Sequence, residues 1–212
     1  MRDISKIGAL FDLDGVIIDS ESLYTEFWSE IERMYPTGIP NFPVAIKGTT
    51  LPTILENYPT QEIRDDVTRR LVDFQANMKY RLFPGAIEFL EEIRDKGIPT
   101  ALITSSDDQK MSCVFEQLPQ LKDKFDYIID GSMVTNSKPH PEGYLRGAEA
   151  IGRKPEDCFV FEDSLQGLAA GKASGATVIG LCTTYPKETV SQIADKTISG
   201  FTPTTLTELL NL

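Results

Sequence analysis

Five short apolar runs, each handing over to a stretch of helical periodicity, constrain this chain more than any other feature. Residues 7–12, 99–104, 126–130, 158–161 and 177–181 are rich in Val, Ile, Leu and Phe and read as strands. Between them Ala86, Phe89, Leu90 and Ile93 recur at i, i+3, i+4 and i+7. Met111, Val114, Phe115 and Leu118 keep the same spacing, as do Tyr144, Leu145, Ala148 and Ile151, while Leu165, Leu168, Ala169 and Ala173 nearly keep it. Each set lays one apolar stripe along a helix. Strand alternating with helix implies right-handed crossovers, so the expected fold is α/β: a parallel sheet core with helices on both faces.

From residue 20 to residue 82 the alternation stops. Leu23, Phe27, Ile31 and Met34 mark a first helix there, and Ile63, Val67, Leu71, Phe74 and Met78 a last one. Pro36, Gly38, Pro40, Pro43 and Pro59 punctuate the segment. The expected organisation is therefore a core of residues 1–19 and 83–212 with a small all-helical domain, residues 20–82, inserted after the first strand. A helix opening at Pro84-Gly85 returns the chain to the core.

In an open parallel sheet, ligands gather beyond the carboxyl ends of the strands. Read in order, those ends carry Asp12-Leu-Asp14, Thr104-Ser105-Ser106 and Glu162-Asp163-Ser164, with Lys138 in the loop SKPHPEG. Four carboxylates on one sheet edge cannot all stay ionised without a cation. Oxygen ligands with no His or Cys nearby suit Mg²⁺, which commonly bridges carboxylate to phosphate. Lys138 adds an ammonium and Thr104 a hydroxyl, and such a set is what transfer of a phosphoryl group asks of a protein. One aspartate of the pair can attack phosphorus, and the other can give a proton to the leaving alkoxide and later take one from water. For that Asp14 must carry a proton when substrate arrives, which calls for negative or apolar surroundings. Gly15 frees the backbone to turn just after the pair.

Each element has a plainer reading. Asp-x-Asp-Gly opens calcium loops, but Val16 stands at the next acidic position and the twelfth-position Glu is missing. Glu-Asp-Ser before an apolar run serves as a helix N-cap, with Asp163 or Ser164 capping. Thr-Ser-Ser after a strand makes a turn, a lone lysine is most often solvated, and Asp19 reads as a cap for the helix starting near Ser20. Only the ordered set carries weight.

Composition narrows the partners. The formal net charge of −11 argues against nucleic acid and against an anionic membrane surface. Cys113, Cys158 and Cys182 are odd in number and lie in apolar patterns, which suits buried thiols in a reducing compartment. The first twenty residues are too charged for a secretory signal and no run reaches membrane-spanning length, so a cytoplasmic monomer or weak homodimer is expected. The single histidine, His140, excludes multi-histidine metal sites.

FDLDGVIIDSE, LITSS, SKPHPEGY and FVFEDSLQG, in this order and spacing, resemble the haloacid dehalogenase superfamily. The likeness is closest to its beta-phosphoglucomutase-like sugar phosphatases and mutases, whose helical cap follows the first motif. The resemblance implies a Rossmann-like core with a closing cap. It also implies Asp12 as nucleophile, Asp14 as general acid/base, and Thr104 and the Ser105 N–H orienting the phosphoryl oxygens. Lys138 would stabilise the transferred group, and Asp12, Asp14 (through its carbonyl), Asp163 and Glu162 would serve Mg²⁺. Lys47, Gly48, Thr49 and Thr50, with Arg70, are candidate substrate contacts from the cap. The mutases carry a histidine in the first cap helix and an arginine just after the cap-loop glycine; Tyr24 stands at the first position and no arginine at the second. The expected activity is thus Mg²⁺-dependent hydrolysis of a small phosphorylated metabolite, a sugar or polyol phosphate, through an aspartyl-phosphate. The alternatives are a sugar phosphomutase and a non-catalytic or receiver-like signalling module. Receiver domains place the acidic pair before the phosphorylated aspartate and lack a cap, against the order found here.

Overall fold

The apolar runs become strands β1 (Gly8–Phe11), β2 (Thr100–Ile103), β3 (Tyr127–Ile129), β4 (Cys158–Glu162) and β5 (Thr177–Leu181) in the computed structural model, which describes residues 3–212. The first three stop one residue short of the expected bounds at each end, which leaves Asp12, Thr104 and Asp130 just beyond the pairing. A sixth strand, β6 (Lys196–Ile198), was not legible: it has three half-buried residues, Lys-Thr-Ile, too short and too polar for a pattern. All neighbours pair in parallel in the order β3-β2-β1-β4-β5-β6. The order reverses between β1 and β4, so the carboxyl ends of those two strands flank the switch point where α/β sheets collect ligands.

After β1 the chain builds four helices: α1 (Glu21–Met34), α2 (Phe42–Ala45), α3 (Leu51–Leu55) and α4 (Gln61–Asn77). Phe27, Trp28, Ile31, Phe42, Ile54, Tyr58, Val67 and Leu71 form an apolar cluster of their own there. Met34, expected on the apolar stripe of α1, is instead 40% exposed at the helix end. The chain leaves and returns through one seam. Asp19 N–H donates to the Arg81 carbonyl at 2.8 Å and Phe83 N–H to the Ile17 carbonyl at 2.9 Å, with Leu82 bridged antiparallel to Ile18.

The remaining helices cover the sheet. On one face α5 (Ala86–Asp95) and α6 (Asp108–Gln117) pack with the C-terminal helix over a phenylalanine cluster. Phe11 and Phe161, paired across β1 and β4, stack at 4.4 Å, and Phe89 stacks on Phe201 at 4.6 Å. Such ring pairs add about 1 kcal/mol each beyond their buried area. Their consequence is local: they fix the two strands whose next residues bear the acids. The other face takes α7 (Glu142–Ala150), α8 (Leu165–Ser174) and α9 (Lys187–Val190), and α10 (Thr205–Leu210) is the C-terminal helix of the first face. On α7, Leu145 is 40% exposed although the spacing placed it inward; Tyr144 and Ala148 are buried as expected. On α8 the inward residues are Gly167, Leu168, Ala170, Gly171 and Ser174 rather than Ala169 and Ala173. Small residues there let the helix lie close against β4, so its buried face carries almost no apolar signal.

The three thiols are unpaired with one another. Only Cys158 is fully buried, which pushes its thiol up to about 12; Cys113 and Cys182 are half-buried rather than buried as expected. No helix among the described residues is long and apolar enough to cross a membrane.

Candidate active site

Asp12 sits one residue beyond β1, where its N–H still donates to the Phe161 carbonyl of β4 at 3.0 Å. Its Oδ1 accepts from Lys138 Nζ at 2.6 Å. The same ammonium lies 2.6 Å from Glu162 Oε1 and 3.3 Å from the Ile103 carbonyl. All three charged side chains are buried. Burial opposes the Lys138 charge, but Asp12 and Glu162 outweigh it and hold the ammonium above its ordinary range.

Glu162 has no acceptor capacity to spare on the protein side. Oε1 also takes the Tyr144 hydroxyl at 2.7 Å, and Oε2 takes the N–H groups of Asp163 and Ser164 and the Ser164 hydroxyl, at 3.0 to 3.1 Å. Ser164 in turn accepts from Gly167 N–H at 3.0 Å and so caps α8, one of the two capping residues anticipated. The cap is part of the site rather than an alternative to it. A Cβ on Gly167 would lie 1.7 Å from Glu162 Oε1, so only glycine lets the helix start this close to the carboxylate.

Asp163 is the freer acid, with the Thr184 hydroxyl as its partner. Gly15 covers it: at φ +78° it makes the turn after Asp14, and a Cβ there would be 2.0 Å from Asp163 Oδ2. Asp12, Glu162 and Asp163 each bring one carboxylate oxygen to within 4.8 Å of the others. Burial, with the Coulomb field of Glu162 adding to it, drives Asp12 up to about 8 and Asp163 well above the usual carboxylate range. Lys138 alone therefore does not neutralise the cluster, and a hard divalent cation with oxygen ligands fits it.

Asp14 is arranged differently from expectation. Ser20 donates its hydroxyl to Oδ1, and Oδ2 accepts from Ser106 Oγ at 3.1 Å and from Lys110 Nζ at 2.5 Å. Its direct partner is thus an ammonium and not an acid or an apolar wall. Ser20 takes the N-cap place of α1 without making a capping bond, since its hydroxyl is turned to Asp14. Asp19, expected to cap that helix, is exposed and does not.

Lys110 escaped the sequence reading, and Ser106, Ser20 and Glu21, though inside its motifs, were given no role at the site. Lys110 had one signal. It occupies the first turn of α6, three residues after the N-cap Asp107, where the helix dipole disfavours a cation. A lysine buried there implies an acid close by. Its ammonium also lies 4.4 Å from the centroid of the Tyr24 ring of α1, so it touches both the core and the helical block.

A cavity lies between strand ends and helical block, lined by Asp12, Asp14, Asp163, Thr104, Ser105 and Ser106 below and by Tyr24, Lys47, Gly48 and Thr49 above. Thr104 is buried at the end of β2, its Oγ1 accepting from Ser106 N–H at 3.0 Å. Ser105 Oγ donates to the Gly48 carbonyl at 2.8 Å, a contact across the seam. Two expected contacts lie elsewhere. Thr50 starts α3 outside the cavity, its Oγ1 3.2 Å from that of Thr53, and Arg70 pairs with Asp66 along α4. Lys47 is at the cavity but bonded to Glu21.

The parallel sheet thus carries a lysine-braced acidic cluster at its switch point, on the floor of the cavity. The family model for haloacid dehalogenase-like hydrolases matches residues 8–175, and the chain belongs to that family. Two relatives are close enough in sequence to bear on activity. A protein of Saccharomyces cerevisiae described as a probable pseudouridine-5'-phosphatase is 32% identical over 189 residues, covering 80% of each chain. The phosphorylated carbohydrates phosphatase of Thermotoga maritima is 31% identical over 180 residues, covering 78% of this chain and 80% of its own. Beta-phosphoglucomutase from Clostridium difficile shares the fold, with a TM-score of 0.77 at 22% identity over 96% of both chains.

Proposed function

We propose that this hydrolase is a Mg²⁺-dependent phosphatase acting on a small phosphorylated metabolite, a sugar or polyol phosphate, through an aspartyl-phosphate on Asp12. The observation that carries the reading is Asp12 beside the buried Lys138 and the Asp163 carboxyl, on the floor of a cavity closed by the helical block. The two relatives named as phosphatases support it.

In this reading an Asp12 oxygen attacks phosphorus and the bond to the leaving oxygen breaks. Lys138 offsets charge on Asp12 and on the transferred group, while Thr104 and the Ser105 N–H orient phosphoryl oxygens. Asp14, held by Ser20, Ser106 and Lys110, is the base placed to take a proton from the water that opens the acyl phosphate; to act as acid toward the leaving oxygen it must first exchange its Lys110 contact for a proton. Asp12, Asp163 and the Asp14 carbonyl would hold Mg²⁺, while Glu162, whose oxygens are taken by Lys138, Tyr144, Ser164 and two backbone N–H groups, would add negative charge behind them; the ion when bound supplies charge neutralisation between carboxylates and phosphate. Residues 20–82 act as the cap, and the three unpaired thiols suit a reducing cytoplasm.

The mutase alternative has less support: among the described residues no arginine lines the cavity, and Lys47 is paired. Release of inorganic phosphate from a panel of phosphorylated metabolites in Mg²⁺ tests the proposal, with Asp12→Asn as blank. Wild-type turnover with loss of more than about a thousandfold in the variant is expected. Retained turnover in Asp12→Asn removes the nucleophile assignment, and isomer formation in place of phosphate removes the hydrolase reading.

A further inference from the structure

The cavity has a charge balance that bears on what it admits. Among the described residues lining it, the cations are Lys47 and Lys110, against the acids Asp12, Asp14, Glu21, Asp107 and Asp163. Both lysines are already engaged, Lys110 by Asp14 and Lys47 by Glu21. A divalent cation and a phosphate dianion offset each other, so acids remain in excess once substrate and metal are in place. The helical block adds a wall of a different kind, made by Trp28, Pro43, Ile46, Leu51, Ile54 and Leu71. In that wall Gln75 is 5% exposed, donates to the Tyr24 hydroxyl at 3.3 Å and leaves Oε1 without a partner among the described residues.

We propose that the Glu21–Lys47 ion pair makes the site select phosphate monoesters whose leaving group carries no second anionic group and presents an apolar face. The proposal rests on the phosphatase reading and names its substrate class. Glu21, in the first turn of α1, spends the one cation that the helical block brings to the cavity. A second phosphate or a carboxylate on the leaving group then meets Glu21 and Asp107 with no free counter-charge. An uncharged leaving group meets neither penalty, and its ring or alkyl face replaces water on the Trp28–Leu71 wall. One hydroxyl or N–H on it can satisfy Gln75 Oε1.

The test is kcat/KM in Mg²⁺ for two sets of esters. Uridine 5'-monophosphate and sorbitol 6-phosphate have uncharged leaving groups; fructose 1,6-bisphosphate and 3-phosphoglycerate have anionic ones. The wild-type protein should favour the first set by at least about tenfold, and the ring-bearing ester within it. Glu21→Gln, which frees Lys47, should shrink the gap between the sets by about tenfold. Equal wild-type efficiency for both sets overturns the inference and leaves the phosphatase reading intact. So does an unchanged ratio in Glu21→Gln with native circular dichroism, the result expected if the pair only ties α1 to the α2–α3 connection. If that variant does not fold, the wild-type ratio decides alone. Failure to release phosphate from any ester, 4-nitrophenyl phosphate included, overturns the phosphatase reading and the inference with it.

Discussion

Lys138 Nζ lies 2.6 Å from Asp12 Oδ1 across 126 residues of sequence, and the contact is buried on both sides. The lysine is held there from behind by Glu162, which is itself saturated by Tyr144, Ser164 and two backbone N–H groups. Lys138→Met would leave two buried carboxylates without their cation. Breaking a buried pair in this way costs about 3–5 kcal/mol. Urea unfolding should show that loss, with phosphate release falling by at least about a hundredfold in the folded fraction. A variant as stable and active as wild type would refute the bracing role.

Asp14→Asn should separate substrates by leaving group. Alkyl phosphates, which need a proton on the departing oxygen, should lose about a hundredfold or more, and 4-nitrophenyl phosphate much less. Lys110→Met removes one of the donors that fix Asp14 and should reproduce the pattern more weakly. Equal losses for both ester types would count against Asp14 as proton donor.

Gly167→Ala puts a methyl group 1.7 Å from Glu162 Oε1 at the start of α8. Either the helix or the carboxylate must shift, at about 1–3 kcal/mol. Thermal melting should report the destabilisation, and activity should fall because Lys138 follows Glu162. Gly200→Ala, whose added Cβ meets nothing within 4 Å and whose φ lies outside the left-handed region, is the control for space alone.

Acid should loosen the loop that carries Lys138. Glu142 accepts from the N–H groups of Thr135 and Asn136 and from the Asn136 side chain, and these bonds lower its carboxyl to about 2. A depressed acid stabilises the fold above its unfolded value near 4.5, and the contribution fades as pH falls from there through about 2. Wild-type melting temperature should therefore drop between pH 5 and pH 2 more steeply than that of Glu142→Gln. Parallel curves would show that the carboxylate contributes nothing there.

Strong periodicity made the sheet legible, because strands buried on both faces must be continuously apolar, and the site followed from acids at their ends. The misses have physical causes. β6 lies at the sheet edge, half-buried, and needs no apolar run. The face of α8 is built from glycine, alanine and serine, so closeness replaced hydrophobicity as its packing device. Lys110 and Ser20 reach Asp14 from separate segments, and no local spacing encodes a contact between them. Thr50 and Arg70 were placed at the substrate by position in a loop or helix; the neighbouring Thr53 and Asp66 take them instead.

The seam at Asp19 and Arg81 closes the helical block into a loop whose two ends are one hydrogen bond apart. Chain entropy charges little for lengthening or exchanging such a loop, since its anchor points do not move. Strand register, the phenylalanine stack and the Asp12–Lys138 contact are made by residues outside 20–81, whereas Ser20 and Tyr24 of the block reach the Asp14–Lys110 pair. On the proposed function, the residues that would meet the leaving group can thus vary while Asp12 and Lys138 stay in place. Only where Ser20 and Tyr24 touch Asp14 and Lys110 is a change in the block bound to be felt at the strand ends.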